Sequence, residues 1–262
     1  MPSHFTRTVP TKSQVEKLRL VLSTYQDGTG QLIFESDKSL PGWRDFERSV
    51  AFVFSGIAQE SKAIFDVLVP ILPETETYYG ISCKMRETLQ TINKTGRVTV
   101  EVSNSAGKFW DALRANGIND YHSAPGTAGK ILLDLVENWH NEVSLEQGGI
   151  VDIEKSFYLL LQWDKRSGTY RLFQFSTRLP NPTSLSWEVN GRRLIGSDQV
   201  GVVIEWYGYS GGQLKYYPFA EQAVWSSHIF QLEPLPANDF GYGLKRRVFE
   251  YFPELWRVSD NL

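Results

Sequence analysis

Two charged residues lie in apolar segments that have the length and composition of β-strands. Asp66 interrupts the run AIFDVLVP, and Lys84 lies in YYGISCKMR, which contains aromatic and β-branched residues. Because strand side chains alternate between faces, Ser82, Lys84 and Arg86 project to the same side of the second strand. A lone carboxylate in a buried strand is costly unless a partner or a metal ion stabilises it. The two segments therefore predict a joint site of Asp66 and Lys84 on neighbouring strands.

Phosphodiester hydrolysis is the chemistry that these residue types would serve. Mg²⁺ bound by carboxylates and a strand carbonyl polarises a scissile phosphate, while a lysine positions or activates water and neutralises developing charge. We expect Asp66 and the backbone carbonyl of Cys83 to bind the Mg²⁺ cofactor, and Lys84 to contact the nucleophile or the phosphate. Two acids could complete the metal site: Glu47, beside the buried stripe of a predicted helix, and Glu101, the only acid in RVTVEVS.

An acid-bearing helix, Asp66 on one strand and Ser82-Cys83-Lys84 on the next resemble the core of the PD-(D/E)xK nucleases. More specifically, the stretches FDVLVP, GISCKMR and VEVSNSAGKFWDAL resemble a type II restriction endonuclease over roughly residues 43–116. The resemblance implies that Asp66 is the metal-binding Asp and Lys84 the catalytic Lys. It also implies an α/β (α+β) fold, in which helices flank a restriction-endonuclease-like central mixed β-sheet with a β-rich C-terminal elaboration.

The sequence departs from the family pattern at two positions. Phe65 replaces the Pro of the motif, and Ser82 occupies the position that usually holds Asp or Glu. Some restriction enzymes with Ser at this position supply the missing carboxylate from a neighbouring helix, which would be Glu47 or Glu87 here. We prefer Glu47, because Glu87 begins the next predicted helix and would favour its N-terminus.

The elements that must position these residues follow from hydrophobic periodicity and turn signals. After a leading helix, the first half is expected to run α, β, β, α, β, α, α, and the half that starts near residue 156 to be rich in strands. A leading helix begins near Ser13 as N-cap, and the next helix buries Phe46, Val50, Val53 and Ile57 on one stripe. The expected helices are residues 13–25, 43–57, 87–94, 108–115, 129–142 and 245–255, and the first strands are residues 62–70, 78–86 and 97–103.

The chain of 262 residues is expected to form one compact domain, because no linker, repeat or low-complexity tract divides it. Within it we expect an N-terminal extension (1–40), a catalytic nuclease core (41–145) and a C-terminal segment (241–262). A β-rich region (150–240) would complete the sheet and read DNA.

Composition limits the class of protein. A net charge of −3, from 27 basic and 30 acidic residues, provides no diffuse attraction to phosphate, so cations for DNA would have to be concentrated locally. The apolar runs are far shorter than the roughly 20 residues that cross a bilayer, and the first residues lack an apolar signal segment. With a single cysteine, Cys83, these features favour a soluble cytoplasmic protein without a membrane partner.

Several basic and polar residues are candidates for DNA contacts. Arg86 and Lys108 are expected near the chemistry, Arg192 and Arg193 form a basic pair, and Gln213 and Lys215 lie in GYSGGQLKYY, whose side chains suit base edges. A two-fold symmetric DNA site would be matched by a homodimer. Residues 126–130 imitate a phosphate-binding loop but lack its first Gly and its Ser or Thr, so no nucleotide cofactor is expected.

Three functions therefore remain open. The leading prediction is a type II restriction endonuclease that hydrolyses both strands of DNA with Mg²⁺, which the large β-rich half favours because sequence readout needs surface. The first alternative is a structure-specific nuclease of DNA repair or recombination. The second is a non-catalytic, aromatic-rich binding protein, in which Asp66 and Lys84 form only a buried ion pair.

Overall fold

The strands of the computed structural model pair into two large β-sheets and one small hairpin. The structure describes residues 9–35, 38–59, 64–72, 76–235 and 244–252. Within these residues the protein is a mixed α/β structure, which confirms the coarse fold class expected from the sequence. The helices of the described residues are α1 (Lys12–Thr24), α2 (Trp43–Val53), α3 (Leu89–Thr95), α4 (Ala106–Ala115), α5 (Pro125–Glu142) and α6 (Leu244–Tyr251).

The strands are distributed over both halves of the chain. They are β1 (Leu32–Glu35), β2 (Lys38–Leu40), β3 (Ile57–Ala58), β4 (Val67–Pro70), β5 (Tyr78–Arg86), β6 (Val100–Ser103), β7 (Phe157–Asp164), β8 (Thr169–Ser176), β9 (Ser186–Asn190), β10 (Arg193–Ser197), β11 (Val202–Trp206), β12 (Leu214–Tyr216), β13 (Trp225–Ser226) and β14 (Phe230–Gln231). The central sheet has the order β13-β8-β7-β5-β4-β3, and β14 also pairs with β8. It is a mixed sheet: β5 runs parallel to β7, whereas the pairs β3–β4, β4–β5 and β7–β8 are antiparallel.

The β-rich half is divided between the two sheets. Strands β7 and β8 continue the central sheet directly beside β5, whereas β9 to β12 form a second, five-stranded sheet with β6 from the first half. The prediction that the Asp66 and Lys84 segments are neighbours in one sheet is confirmed: β4 pairs antiparallel with β5, with Val67 opposite Ile81 and Pro70 opposite Tyr78.

Two predicted helix boundaries are wrong for identifiable reasons. The N-cap of α1 is Thr11 and not Ser13: its hydroxyl accepts from the Gln14 amide, and the Gln14 side chain accepts from the Thr11 amide. Helix α2 ends at Val53 because Ser55 adopts a left-handed φ of 55°. Ile57 is therefore not part of the helical stripe and lies, 53% exposed, in the edge strand β3.

Other boundaries shift by a few residues, and these shifts affect candidate residues. Asp66 immediately precedes β4, while residues 62 and 63 of the predicted strand lie outside the described part of the chain. Glu87 lies before α3 rather than in it, and β6 begins at Val100 instead of 97. Residues 126–130 form the first turns of α5, and the predicted terminal helix is observed up to Tyr251, with residues from 253 outside the described ranges.

Three buried clusters hold the layers together. The first joins one face of the central sheet to α1 and α2, through residues such as Leu22, Phe46, Val50 and Ile81. The second joins the five-stranded sheet to α4 and α5. The third lies on the opposite face of the central sheet, where Ile92 of α3 and residues of β6 cover β7 and β8. Strand β5 is therefore covered by helix α2 on the face that carries Ile81 and Cys83. None of the helices in the described ranges has both the length and the apolar character needed to cross a membrane.

The packing of α2 can be tested with two phenylalanines of the same helix. Phe46 is fully buried, whereas Phe52 is 76% exposed. Phe46→Ala should lower the free energy of unfolding by about 3–5 kcal/mol, because it removes a large core side chain and leaves a cavity. Phe52→Ala should change it by less than about 0.5 kcal/mol. Urea unfolding of both variants measures the difference, and equal effects would contradict this packing.

Candidate active site

The backbone of Asp66 is held on both sides. Its amide donates to the Ile81 carbonyl of β5 at 3.1 Å, and its own carbonyl accepts from the Gln59 amide at 2.8 Å, just after β3. Asp66 is thus hydrogen-bonded to both neighbouring segments immediately before β4 begins. This pairing directs the carboxylate over β5 rather than into solvent.

The Asp66 carboxylate receives three hydrogen bonds from consecutive residues of β5, all at Oδ2. The Cys83 amide donates at 2.7 Å, the Lys84 ammonium at 3.0 Å and the Ser82 hydroxyl at 3.3 Å. The Asp66 and Lys84 side chains are 25% and 21% exposed, so the pair lies in a partly dehydrated environment open to a ligand. Donors to one oxygen fix the orientation of the carboxylate and leave Oδ1 directed away from these contacts.

The Cys83 carbonyl is directed to the same side of β5 as Asp66. The Ile81 carbonyl and the Cys83 amide both point toward the Asp66 segment. Because the amide and carbonyl groups of alternate strand residues point to the same side, the Cys83 carbonyl also points there, beyond the start of β4. Asp66 and this carbonyl are therefore two oxygen donors beside the part of β5 that extends beyond its pairing with β4. Burial, with an added effect of the Asp66 charge, raises the pKa of the Cys83 thiol well above its usual value, so the thiol is not a nucleophile.

Phe65 anchors the segment that carries Asp66. Its ring lies directly on Gly80 of β5, where a Cβ atom would come within 2.1 Å of the ring. On its other side the ring stacks on His140 of α5, with 5.6 Å between the centroids. Burial lowers the pKa of His140 to about 4, so this imidazole is neutral at neutral pH and serves as an aromatic packing partner.

The three candidate acids occupy different surroundings. Glu47 is half-buried on α2, and its charge acts on the Cys83 thiol together with the charges of Asp66 and Lys84. Glu101 of β6 forms an ion pair with Arg86, which follows Lys84 on the same face of β5. Glu87 is exposed. The structure therefore brings Glu47 and Glu101 to the neighbourhood of the Asp66–Lys84 pair from opposite sides of the sheet, and it leaves Glu87 in solvent.

The oxygen donors around Asp66 suit a magnesium ion that has few protein ligands. Among the described residues, no group of three or more His, Cys, Asp or Glu side chains is arranged to hold a metal ion. Mg²⁺ usually keeps several waters and binds one or two carboxylates together with substrate phosphate oxygens. Asp66, the Cys83 carbonyl and one further acid are a donor set of that size.

The residues predicted to contact DNA lie in three places. Arg86, Arg193, Gln213 and Lys215 lie on one polar face that continues from β5 onto the five-stranded sheet. Lys108 is not in this group: it lies on α4, its ammonium 5.3 Å from the centre of the Trp139 ring, and α4 packs on the opposite face of that sheet. Arg192 is exposed in the turn between β9 and β10.

A buried acid on the same polar face was not among the predicted residues. Glu205 of β11 is 7% exposed and accepts hydrogen bonds from Arg193, Tyr207 and Tyr217. Its sequence signal equals that of Asp66, since it is the only charged residue in the apolar run GVVIEWYGY. We refer to Glu205, Arg193, Tyr207, Tyr217 and Lys215 as the Glu205 cluster.

Comparison with known proteins does not assign a family to the chain. No protein-family model matches it, and no curated protein and no solved structure is significantly similar to it.

The contact between Phe65 and Gly80 can be tested by substitution. Gly80→Ala should displace the Phe65 ring and with it the Asp66 carboxylate, because the added Cβ overlaps the ring. We expect a loss of about 1–3 kcal/mol in the free energy of unfolding, as is typical of overpacked cores. Gly107→Ala in α4 is the matched control, since nothing lies within 4 Å of its added Cβ and alanine favours a helix. Thermal unfolding of both variants measures the effect, and an unchanged Gly80→Ala protein would refute the contact.

Proposed function

We propose that the protein is a Mg²⁺-dependent DNA endonuclease of the PD-(D/E)xK type, and more specifically a type II restriction endonuclease. The observation that carries this proposal is the binding of the Asp66 carboxylate by Ser82, Cys83 and Lys84, on the part of β5 that extends beyond its pairing with β4. A carboxylate, a strand carbonyl and a lysine in one place are the groups that metal-assisted phosphodiester hydrolysis requires. On this proposal the mixed sheet around β5, with α2 packed on it, is the restriction-endonuclease-like core.

The residues that would hold the metal ion are Asp66, through Oδ1, the Cys83 carbonyl and Glu47. When bound, Mg²⁺ would neutralise the charge that develops on the scissile phosphate. Glu47 is the preferred acid because its charge acts on Cys83, whose carbonyl is a proposed ligand.

Lys84 and Ser82 would act through the hydrogen bonds that their positions allow. The Lys84 ammonium lies 3.0 Å from Asp66 Oδ2, so it would donate hydrogen bonds to a phosphate oxygen or to the attacking water beside the metal ligand. The Ser82 hydroxyl donates to the same oxygen and would hold the carboxylate in its orientation. Ser82 therefore takes a positioning role at the place where the family pattern has an acid.

The proposed substrate is double-stranded DNA in the cytoplasm, cut in both strands by a homodimer. A two-fold protein matches a two-fold symmetric site, and each subunit would then cut one strand. The polar face that joins Arg86 to Arg193 supports this substrate, because it sets cations and hydrogen-bonding side chains beside the proposed metal site.

Cleavage of long double-stranded DNA with Mg²⁺ tests the proposal directly. Wild-type protein should yield discrete fragments, and Asp66→Asn and Lys84→Met should each lower the rate by at least about 100-fold, since each removes a group that stabilises the transition state. Lys130→Met and Asp134→Asn are matched controls, because these residues form an exposed Lys–Asp pair on α5. Both controls should cut at the wild-type rate.

Other outcomes of the same experiment distinguish the alternatives. Cleavage confined to branched or mismatched DNA would favour a repair or recombination nuclease. Absence of cleavage with both Mg²⁺ and Mn²⁺, by wild-type protein and by folded variants alike, would overturn the nuclease proposal and leave a binding protein with a structural ion pair.

The identity of the third metal ligand can be read from the Mg²⁺ dependence of the rate. Glu47→Gln should raise the Mg²⁺ concentration for half-maximal rate by at least about 10-fold, because even residues that only orient a metal ligand have effects of that size. Glu87→Gln is the exposed control and should leave it unchanged. If Glu101→Gln raises the requirement and Glu47→Gln does not, Glu101 is the ligand instead.

A further inference from the structure

The polar face of the five-stranded sheet carries a preorganised cluster. In β11 and β12 the alternate residues Ile204, Trp206 and Leu214 face the helices α4 and α5, so Glu205 and Lys215 project from the other face. Residue 205 lies opposite residue 215, which in turn lies opposite Glu101 of β6. This face therefore carries polar side chains on the neighbouring strands β6, β12 and β11, while the buried Ile195 of β10 lies opposite Glu205.

Glu205 holds the side chains around it in fixed directions. Its Oε1 accepts from Arg193 Nη1 at 2.7 Å, and its Oε2 accepts from the Tyr217 hydroxyl at 2.6 Å and the Tyr207 hydroxyl at 2.9 Å. The Glu205 side chain is 9% exposed, whereas that of Arg193 is 39% exposed. The guanidinium is thus held through Nη1 by a buried carboxylate, while the Arg193 side chain stays partly exposed.

The Glu205 cluster is continuous with the Asp66 site. The Lys215 ammonium lies 4.4 Å from the centre of the Tyr207 ring, and it experiences the charges of Arg86, Glu101 and Glu205. Arg86 in turn follows Lys84 on the same face of β5. Three strand steps of about 4.8 Å separate β6 from β10, so these four strands span about 14 Å.

A fixed arginine is more useful for reading a base than for binding a phosphate. A phosphate has several equivalent oxygens and is bound well by a mobile cation, whereas a guanine presents O6 and N7 in one plane and requires an aligned guanidinium. Burial of a carboxylate is costly unless it accepts hydrogen bonds. The hydrogen bond that the buried Glu205 carboxylate accepts from Arg193 also fixes the orientation of the guanidinium.

We propose that the Glu205 cluster is the surface that reads base edges in the major groove, with Arg193 recognising a guanine and Glu205 as its positioning residue. This inference rests on the proposed action on double-stranded DNA. Gln213 lies beside Tyr207, whose amide donates to the Gln213 carbonyl, and supplies a second group able to contact a base. Lys215, between Arg193 and Arg86, contacts the phosphate backbone.

The test is selection of bound sequences from a pool of randomised duplex oligonucleotides, with the full-length protein and EDTA so that no strand is cut. Wild-type protein should enrich a sequence that contains a guanine at a defined position. Arg193→Lys and Glu205→Gln should bind that sequence about 5- to 150-fold more weakly and lose discrimination at that position. Arg178→Lys is the matched control, because Arg178 also pairs with a glutamate outside the cluster.

Replacement of that guanine by 7-deazaguanine, which lacks the N7 acceptor, separates a reading role from a structural one. It should weaken wild-type binding by a similar factor and leave Arg193→Lys binding unchanged. The slope of the logarithm of affinity against the logarithm of salt concentration should be unaltered in Arg193→Lys, which keeps the charge. In Lys215→Met the magnitude of this slope should fall by about one, because one phosphate contact is lost. Circular dichroism checks the fold of each variant, and Tyr217→Phe, which removes one donor but no charge, replaces Glu205→Gln if that variant unfolds.

Two results would overturn the inference. They are wild-type binding without sequence preference, and variants that enrich the same sequence with the same sensitivity to 7-deazaguanine. A parallel incubation of the selected duplex with Mg²⁺ tests the nuclease proposal separately. Selective binding without cleavage would overturn the nuclease proposal and support base reading by the Glu205 cluster. Cleavage by wild-type protein, with the same sequence preference in the Arg193 and Glu205 variants, would support the nuclease proposal and overturn base reading by the cluster.

Discussion

The bond between the Asp66 carboxylate and the backbone of β5 links the chemistry of the candidate site to the register of two strands. The Asp66 amide binds the Ile81 carbonyl, and its carboxylate binds the Cys83 amide two residues further on. A slip of one residue between β4 and β5 would turn every side chain of one strand to the opposite face. The same slip would remove Val67 and Val69 from the core, so the hydrophobic packing of the sheet also fixes the position of the carboxylate.

Opposite charges alternate along the polar surface that begins at this site. Lys84 pairs with Asp66, Arg86 with Glu101, and Arg193 with Glu205. A chain with net charge −3 can hold a set of cations in one place only if neighbouring acids offset their mutual repulsion. Pairing also restricts the directions of long, mobile side chains, so this surface is better suited to selective than to nonspecific electrostatic binding.

The sequence predicted those features that depend on local patterns. The alternation in YYGISCKMR sets strand β5 and the faces of Ser82 and Lys84, and the apolar run around Asp66 identifies its unusual carboxylate. The division of the β-rich half into two sheets was not predictable in this way, because the pairing of β6 with β12 joins residues more than a hundred positions apart. The end of α2 depended on the left-handed backbone of Ser55, which the helical spacing of Ile57 concealed. Glu205 could be identified from the sequence as the only charged residue of an apolar run. Its role could not, because it depends on hydrogen bonds from Tyr207 and Tyr217 that form only in the tertiary structure.

The contact between the Phe65 ring and Gly80 imposes a condition on how this protein can diverge. A side chain at position 80 is excluded while an aromatic ring occupies position 65, so the two positions cannot change independently. A chain with a small or cyclic residue at position 65 would not need glycine at position 80 of β5. Related sequences should therefore show correlated residue pairs at positions 65 and 80. A protein with a substitution at only one of these positions would be poorly packed.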